Sequence, residues 1–155
     1  MLGAALALLA AGCGSPPLYG PPEPGQPPAT PPSASLRLFK QAETGPFARA
    51  FQADAATFNR DSRHRQLPSA VLGADAYRVS ADIAALARAM QKAPVPAEYE
   101  RAKAQLLHGL ALLRQGYRRI GGGLLYGDPG QLRLGRADVR AGSRILGGVA
   151  AAEAL

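Results

Sequence analysis

Residues 99–124, YERAKAQLLHGLALLRQGYRRIGGGL, carry the pattern that decides the fold. Tyr99, Leu106, Leu113 and Ile120 recur at seven-residue steps, and Leu110, Tyr117 and Leu124 fill the companion positions. That spacing gathers apolar side chains on one face of an α-helix and leaves the other face polar. A half-buried strand would need alternation at every second residue, which is absent here. Ala93-Pro94-Val95-Pro96 precedes the helix as a rigid turn, with Pro96 suited to a first helical position. Glu98 and Glu100 then fall in the first turn, where acids oppose the positive end of the dipole. Gly121-Gly122-Gly123 is expected to weaken the far end, since a helical glycine costs about 1 kcal/mol relative to alanine.

The same periodicity extends on both sides. Before this helix, Leu72, Ala76, Val79, Ile83, Leu86 and Met90 alternate steps of four and three, predicting a helix over 69–92. Asp75 and Asp82 fall off that seam and are expected to be solvated. Earlier still, Phe47, Phe51, Asp54-Ala55 and Phe58 follow helical spacing, which places three phenylalanines on one stripe for core packing. Arg60, Arg63 and Arg65 crowd the end of that segment and Leu67-Pro68 closes it. Residues 36–44, LRLFKQAET, read as two helical turns or a short strand, with Gly45-Pro46 as the break behind them.

After the deciding stretch, Gly127-Asp128-Pro129 marks a boundary, with Asp128 as N-cap and Pro129 at the first helical position. The next helix carries Leu132, Val139 and Leu146 at seven-residue steps, with Gly135, Gly142 and Val149 as partners. Glycines at that spacing admit a neighbouring helix closely, and residues 150–155 are expected to fray. With alanine and leucine dominant and tryptophan absent, the expectation for 36–155 is an all-α fold. Its form is an antiparallel three- to four-helix bundle, the first helix short or broken.

The first 35 residues are of another kind. Residues 14–35, GSPPLYGPPEPGQPPATPPSAS, are proline-rich and poor in apolar side chains, which denies them helix, central strand and core. They read as an extended disordered tether of about 3.1 Å per residue. Leu2 to Leu9 form an apolar run too short to span a bilayer, where about 20 residues are needed. Leu9-Ala10-Ala11-Gly12-Cys13 ends the run on small residues and the single cysteine of the chain, which has no disulfide partner within it.

Residues 1–14 resemble the signal segments of bacterial lipoproteins processed by the lipoprotein-specific signal peptidase. Ala11, Gly12 and Cys13 fit that pattern, whereas Ala10 stands where leucine is commoner and no Lys or Arg precedes the apolar run. An upstream start would supply those basic residues. The resemblance implies a signal peptide over 1–12, cleavage between Gly12 and Cys13, and a lipid-modified Cys13 that holds the chain to a membrane of the cell envelope. Gly14 in place of aspartate favours the outer membrane where the cell has two. The helical domain looks like those of many uncharacterised bacterial lipoproteins.

Chemistry is sparse in the domain. The formal charge is +7, and fifteen Arg stand against three Lys. Arg133, Arg136, Arg140 and Arg144 are spaced three or four apart on the last helix, and Arg114 and Arg118 make a similar pair on the one before. Such a face would meet an acidic envelope protein, a glycan or lipid head groups, or else is an ordinary solvated face in an arginine-rich chain. Nucleic acid is excluded as a partner by the exported location and by the lack of aromatics among the basic residues. His64 and His108 are the only histidines and lie on different segments, so no metal site is expected. Ser62 lies two residues from His64 without a nucleophile elbow, and Gly121-Gly122-Gly123 lacks the Lys-Ser/Thr of a phosphate loop. No catalytic residue or cofactor is expected. The reading is a lipid-anchored, non-enzymatic interaction or scaffolding domain; the alternative is a small-molecule or lipid-binding module loosened by its glycines.

Overall fold

The computed structural model describes residues 34–63 and 67–153. Gly12, Cys13, the proline-rich run, His64 and Arg65 lie outside the described residues. Within them the chain is all-α: α1 (Ala34–Thr44), α2 (Pro46–Asp61), α3 (Ser69–Lys92), a 3₁₀ turn (Ala97–Tyr99), α4 (Glu100–Tyr126) and α5 (Pro129–Glu153). The segment read as helix or strand is helix α1, and it takes in Ala34 and Ser35, which the sequence had assigned to the tether. Gly45 separates α1 from α2, which begins at Pro46, so the two helices together are the broken first helix.

Helix α4 is central, packing against α3 on one side and α5 on the other. Most of its predicted seam is buried, at Leu106, Leu110, Leu113, Tyr117 and Ile120; Leu124 is half-buried against the core, and Tyr99, half-buried, falls in the 3₁₀ turn before the helix. On α3, Ala76, Val79, Ile83, Leu86 and Met90 are buried. Helix α2 contributes Phe51, Ala55 and Phe58, and the Phe58 ring meets Tyr117 of α4 edge-on, with centroids 5.5 Å apart. Phe47 departs from the predicted stripe: it sits in the first turn of α2 and is 47 % exposed. Phe39 of α1, which packs on both α2 and α3, fills that end of the core instead.

The helix ends follow from local chemistry. Pro96 is one place earlier than predicted, heading the 3₁₀ turn, and the α-helix proper starts at Glu100. Lys103 Nζ donates to the Ala93 carbonyl at 2.6 Å, which fastens the proline turn to α4. Gly121-Gly122-Gly123 does not end α4. The helix runs on to Tyr126 and stops at Gly127, whose φ of 66° is left-handed, with the Asp128 N–H donating to the Gly123 carbonyl. Asp128 caps α5 as expected, its Oδ1 accepting from the N–H groups of Gly130 and Gln131 at 2.8 and 3.1 Å. Helix α5 continues to Glu153, past the point where fraying was expected.

Two columns of small residues set the helix spacing. Between α4 and α5, a Cβ on Gly116 would lie 2.8 Å from the Gly135 carbonyl oxygen, and one on Gly135 would lie 2.7 Å from that of Gly116. Gly142 stands in the same relation to Gly109, at 2.7 Å. Between α3 and α4, Gly73 and Gly121 oppose each other at 3.1–3.2 Å. One heptad further along α3, Ser80 Oγ donates to the Arg114 carbonyl at 3.1 Å. In each pair of helices one residue number rises as its partner falls, so the helices run antiparallel. The glycines thus bring the helix backbones into close approach, as expected for Gly135 and Gly142.

Candidate functional site

The four arginines singled out by spacing all lie exposed on α5. Gly135, Val139, Gly142 and Leu146 point the opposite side of that helix at α4, where the first three meet Gly116 or Gly109 and Leu146 covers Gly109. Among the described residues helix α5 makes its substantial contacts with α4 alone, so Arg133, Arg136, Arg140 and Arg144 form the outer edge of the described bundle. None of the four makes an ion pair among the described residues. The acid nearest to them in sequence, Asp138, is taken by Arg119 of α4, with Arg119 Nη1 donating to its Oδ2 at 2.7 Å. The stripe therefore keeps its positive potential toward solvent.

Arg114 and Arg118 are exposed on α4, but the fold does not add them to that stripe. The Arg114 carbonyl accepts from Ser80 Oγ of α3, so this turn of α4 lies against α3. Arg118 instead lines a groove of about 370 Å³ over the outer face of α4, with Tyr77 of α3, Gln115, Arg119, Gly122, Tyr126, Asp128 and Gln131. Sequence reading missed this groove. Its residues come from three helices, and the one signal available was Gly122, which had been assigned to a helix stop.

The third feature is a charge cluster where α2 meets α3. Arg78 reaches Asp75 at 3.3 Å and Asp54 of α2 at 3.9 Å. Asp75, expected to be solvated, is only 8 % exposed. Asp82 also departs from expectation: it is half-buried, and its Oδ2 is shielded from water without a hydrogen-bond partner. Burial raises the Asp82 pKa above its ordinary value, a hydrogen bond and charge from Asp54 add to the rise, and Arg78 opposes it. A bond between two carboxyls needs a proton, so it exists only while one of them is protonated.

Elsewhere the polar groups are scattered. His108 is exposed on α4, and Ser62 Oγ donates to the Asn59 carbonyl at 3.0 Å at the end of α2. Among the described residues no group of three or more His, Cys, Asp or Glu is placed to hold a metal ion. Burial pushes the Tyr117 hydroxyl up to about 12, a consequence of its place in the core. Among the described residues, no helix is long and apolar enough to cross a membrane.

No protein-family model matches the chain, and no curated protein or solved structure matches it either.

Proposed function

We propose that this is a lipid-tethered protein of a bacterial cell envelope whose helical domain is a non-enzymatic interaction module, with the arginine face of α5 meeting an acidic envelope component. The observation that carries the reading is the placement of Arg133, Arg136, Arg140 and Arg144 together on the solvent edge of a helix, with no acidic side chain paired to them among the described residues. Four guanidinium groups along one helix face suit carboxylates or phosphates, because each offers a planar fork of donors. The close glycine contacts hold α5 against α4, so the face is presented on a fixed support. The partner is an acidic protein face, a glycan or lipid head groups. Cys13 supplies the membrane attachment through lipid, and the proline-rich segment supplies reach, on the order of 60 Å at about 3.1 Å per residue. Support for the anchor is the Leu9–Cys13 stretch and its resemblance to lipoprotein signals.

The test is in-cell crosslinking and pull-down of the tagged chain, beside Cys13→Ala and the joint replacement of Arg133, Arg136, Arg140 and Arg144 by Ala. The reading expects a dominant partner captured by the wild type and lost from the arginine variant. It also expects Cys13→Ala to leave the membrane fraction. A partner retained in full by the arginine variant would move the interaction off α5, and membrane retention of Cys13→Ala would remove the lipid anchor.

A further inference from the structure

The groove on the outer face of α4 is distinct from the α5 edge, and Gly122 is the residue that sets it apart. Gly121 and Gly123 are required by packing: a Cβ at 121 would lie 2.9 Å from the Tyr77 ring, and one at 123 would lie 2.8 Å from Leu132. At Gly122 an added Cβ meets, among the described residues, only the Tyr77 hydroxyl, at 3.4 Å, an ordinary contact. Helix contacts do not demand glycine there, and glycine weakens a helix interior relative to alanine. What it does is leave the groove floor as bare backbone.

The walls have a consistent chemistry. Tyr77 stands on one side from α3, 37 % exposed with one ring edge over Gly121, and Tyr126, 83 % exposed, stands at the end of α4. Large aromatic rings left open to water offer flat apolar faces with a polar tip. Gln115 and Gln131 bring amides, each able to donate and accept. Arg119 is held by Asp138, and the one carboxylate of the lining, Asp128, has its Oδ1 turned to the N–H groups of Gly130 and Gln131, whereas Arg118 forms no ion pair among the described residues and is free to take an anion. The groove is partly open to solvent, so it suits a segment lying across it more than an enclosed small molecule.

We propose that this groove binds an acidic saccharide segment. The sugar rings lie on Tyr77 and Tyr126 over Gly122, the Gln115 and Gln131 amides take hydroxyls, and Arg118 takes the acid group. The proposal does not depend on the α5 face, whose arginines are not part of the groove.

The experiment is calorimetric titration of the full chain carrying Cys13→Ala at physiological salt, with tetragalacturonate as the acidic probe. Maltotetraose serves as the neutral probe and phenyl phosphate as the small aromatic anion. Tetragalacturonate is expected to bind at least about tenfold more tightly than the other two, a factor well resolved as a difference in Kd. Gly122→Leu, which fills the floor, and Tyr126→Ala, which removes an exposed ring, should each weaken it by about tenfold or more. Arg118→Gln should erase the preference for the acidic over the neutral saccharide. The joint α5 arginine replacement should leave the affinity within about twofold. Thermal melts confirm that Gly122→Leu is folded, and Tyr126→Ala gives a second test at a position outside the core. Unchanged binding in both variants overturns the site. Loss of binding only in the α5 variant would also overturn it, by showing general charge attraction. Phenyl phosphate binding as tightly as the saccharide would overturn the ligand class.

Discussion

The two sides of the bundle are held together by opposite means. Where α2 meets α3 and α4, the contact is made by large side chains: Phe51 and Phe58 are buried, and Phe58 is set edge-on against Tyr117. Where α4 meets α5, the contact is made by missing side chains: Gly116 faces Gly135 and Gly109 faces Gly142, with backbone against backbone. The first interface follows from apolar area removed from water. The second follows from close van der Waals approach, which any added atom disturbs. Alanine is therefore too small for one interface and too large for the other.

That contrast can be broken by the same replacement on both sides. Phe58→Ala should lose about 3–5 kcal/mol of unfolding free energy, the range for deleting a buried aromatic ring. Gly135→Ala should lose about 1–3 kcal/mol through overpacking. It does so although alanine is intrinsically favoured over glycine in a helix by about 1 kcal/mol. Gly148 sharpens the comparison, since an added Cβ there meets nothing within 4 Å. Gly148→Ala should be neutral or gain up to about 1 kcal/mol. Urea unfolding followed by circular dichroism would rank the three. A stabilised Gly135→Ala would mean that the helices separate without loss, and the backbone contact would not be what holds α5.

Much of this was written in the periodicity. The seams of α3, α4 and α5 could be read because heptad spacing and burial have the same cause, and the Asp128 cap and the partner role of Gly135 and Gly142 could be read from local rules. Phe47 could not, because a stripe does not say where the neighbouring helix stops covering it. Gly121-Gly122-Gly123 misled because propensity alone scores each glycine as a weakness, whereas Tyr77 and Leu132 occupy the space above two of them. The arginine stripe of α5 was legible as a spacing, but its lack of acidic partners among the described residues depended on Arg119 reaching Asp138 from another helix. The groove left only Gly122 as a signal in the sequence, since Tyr77, Arg118 and Gln131 come from three separate helices.

The aromatic side of the comparison has one weakness, and pH exposes it. Asp82 carries a raised pKa where α2 meets α3, first through burial and then through Asp54, while the opposing α4–α5 contact has an ion pair with its charges matched. A carboxyl with a raised folded-state pKa binds its proton more tightly folded than unfolded. Its ionisation leaves stability intact below the ordinary carboxylate pKa, then lowers it as pH rises through the folded value, and the loss is constant above that. Asparagine keeps the shape without the charge. Asp82→Asn should therefore raise the melting temperature at pH 7, and the gain should shrink toward nothing as pH falls below the ordinary carboxylate range of about 4. Because Asp82 is only half-buried and Arg78 offsets part of the penalty, the effect is small beside those of Phe58→Ala and Gly135→Ala. Taking the difference between variant and wild type at each pH removes the titration of the other acids that the two proteins share. A variant that melts lower than the wild type at pH 7 would show that the ionised Asp82 is satisfied by Arg78, and the strain would not belong to this side of the molecule.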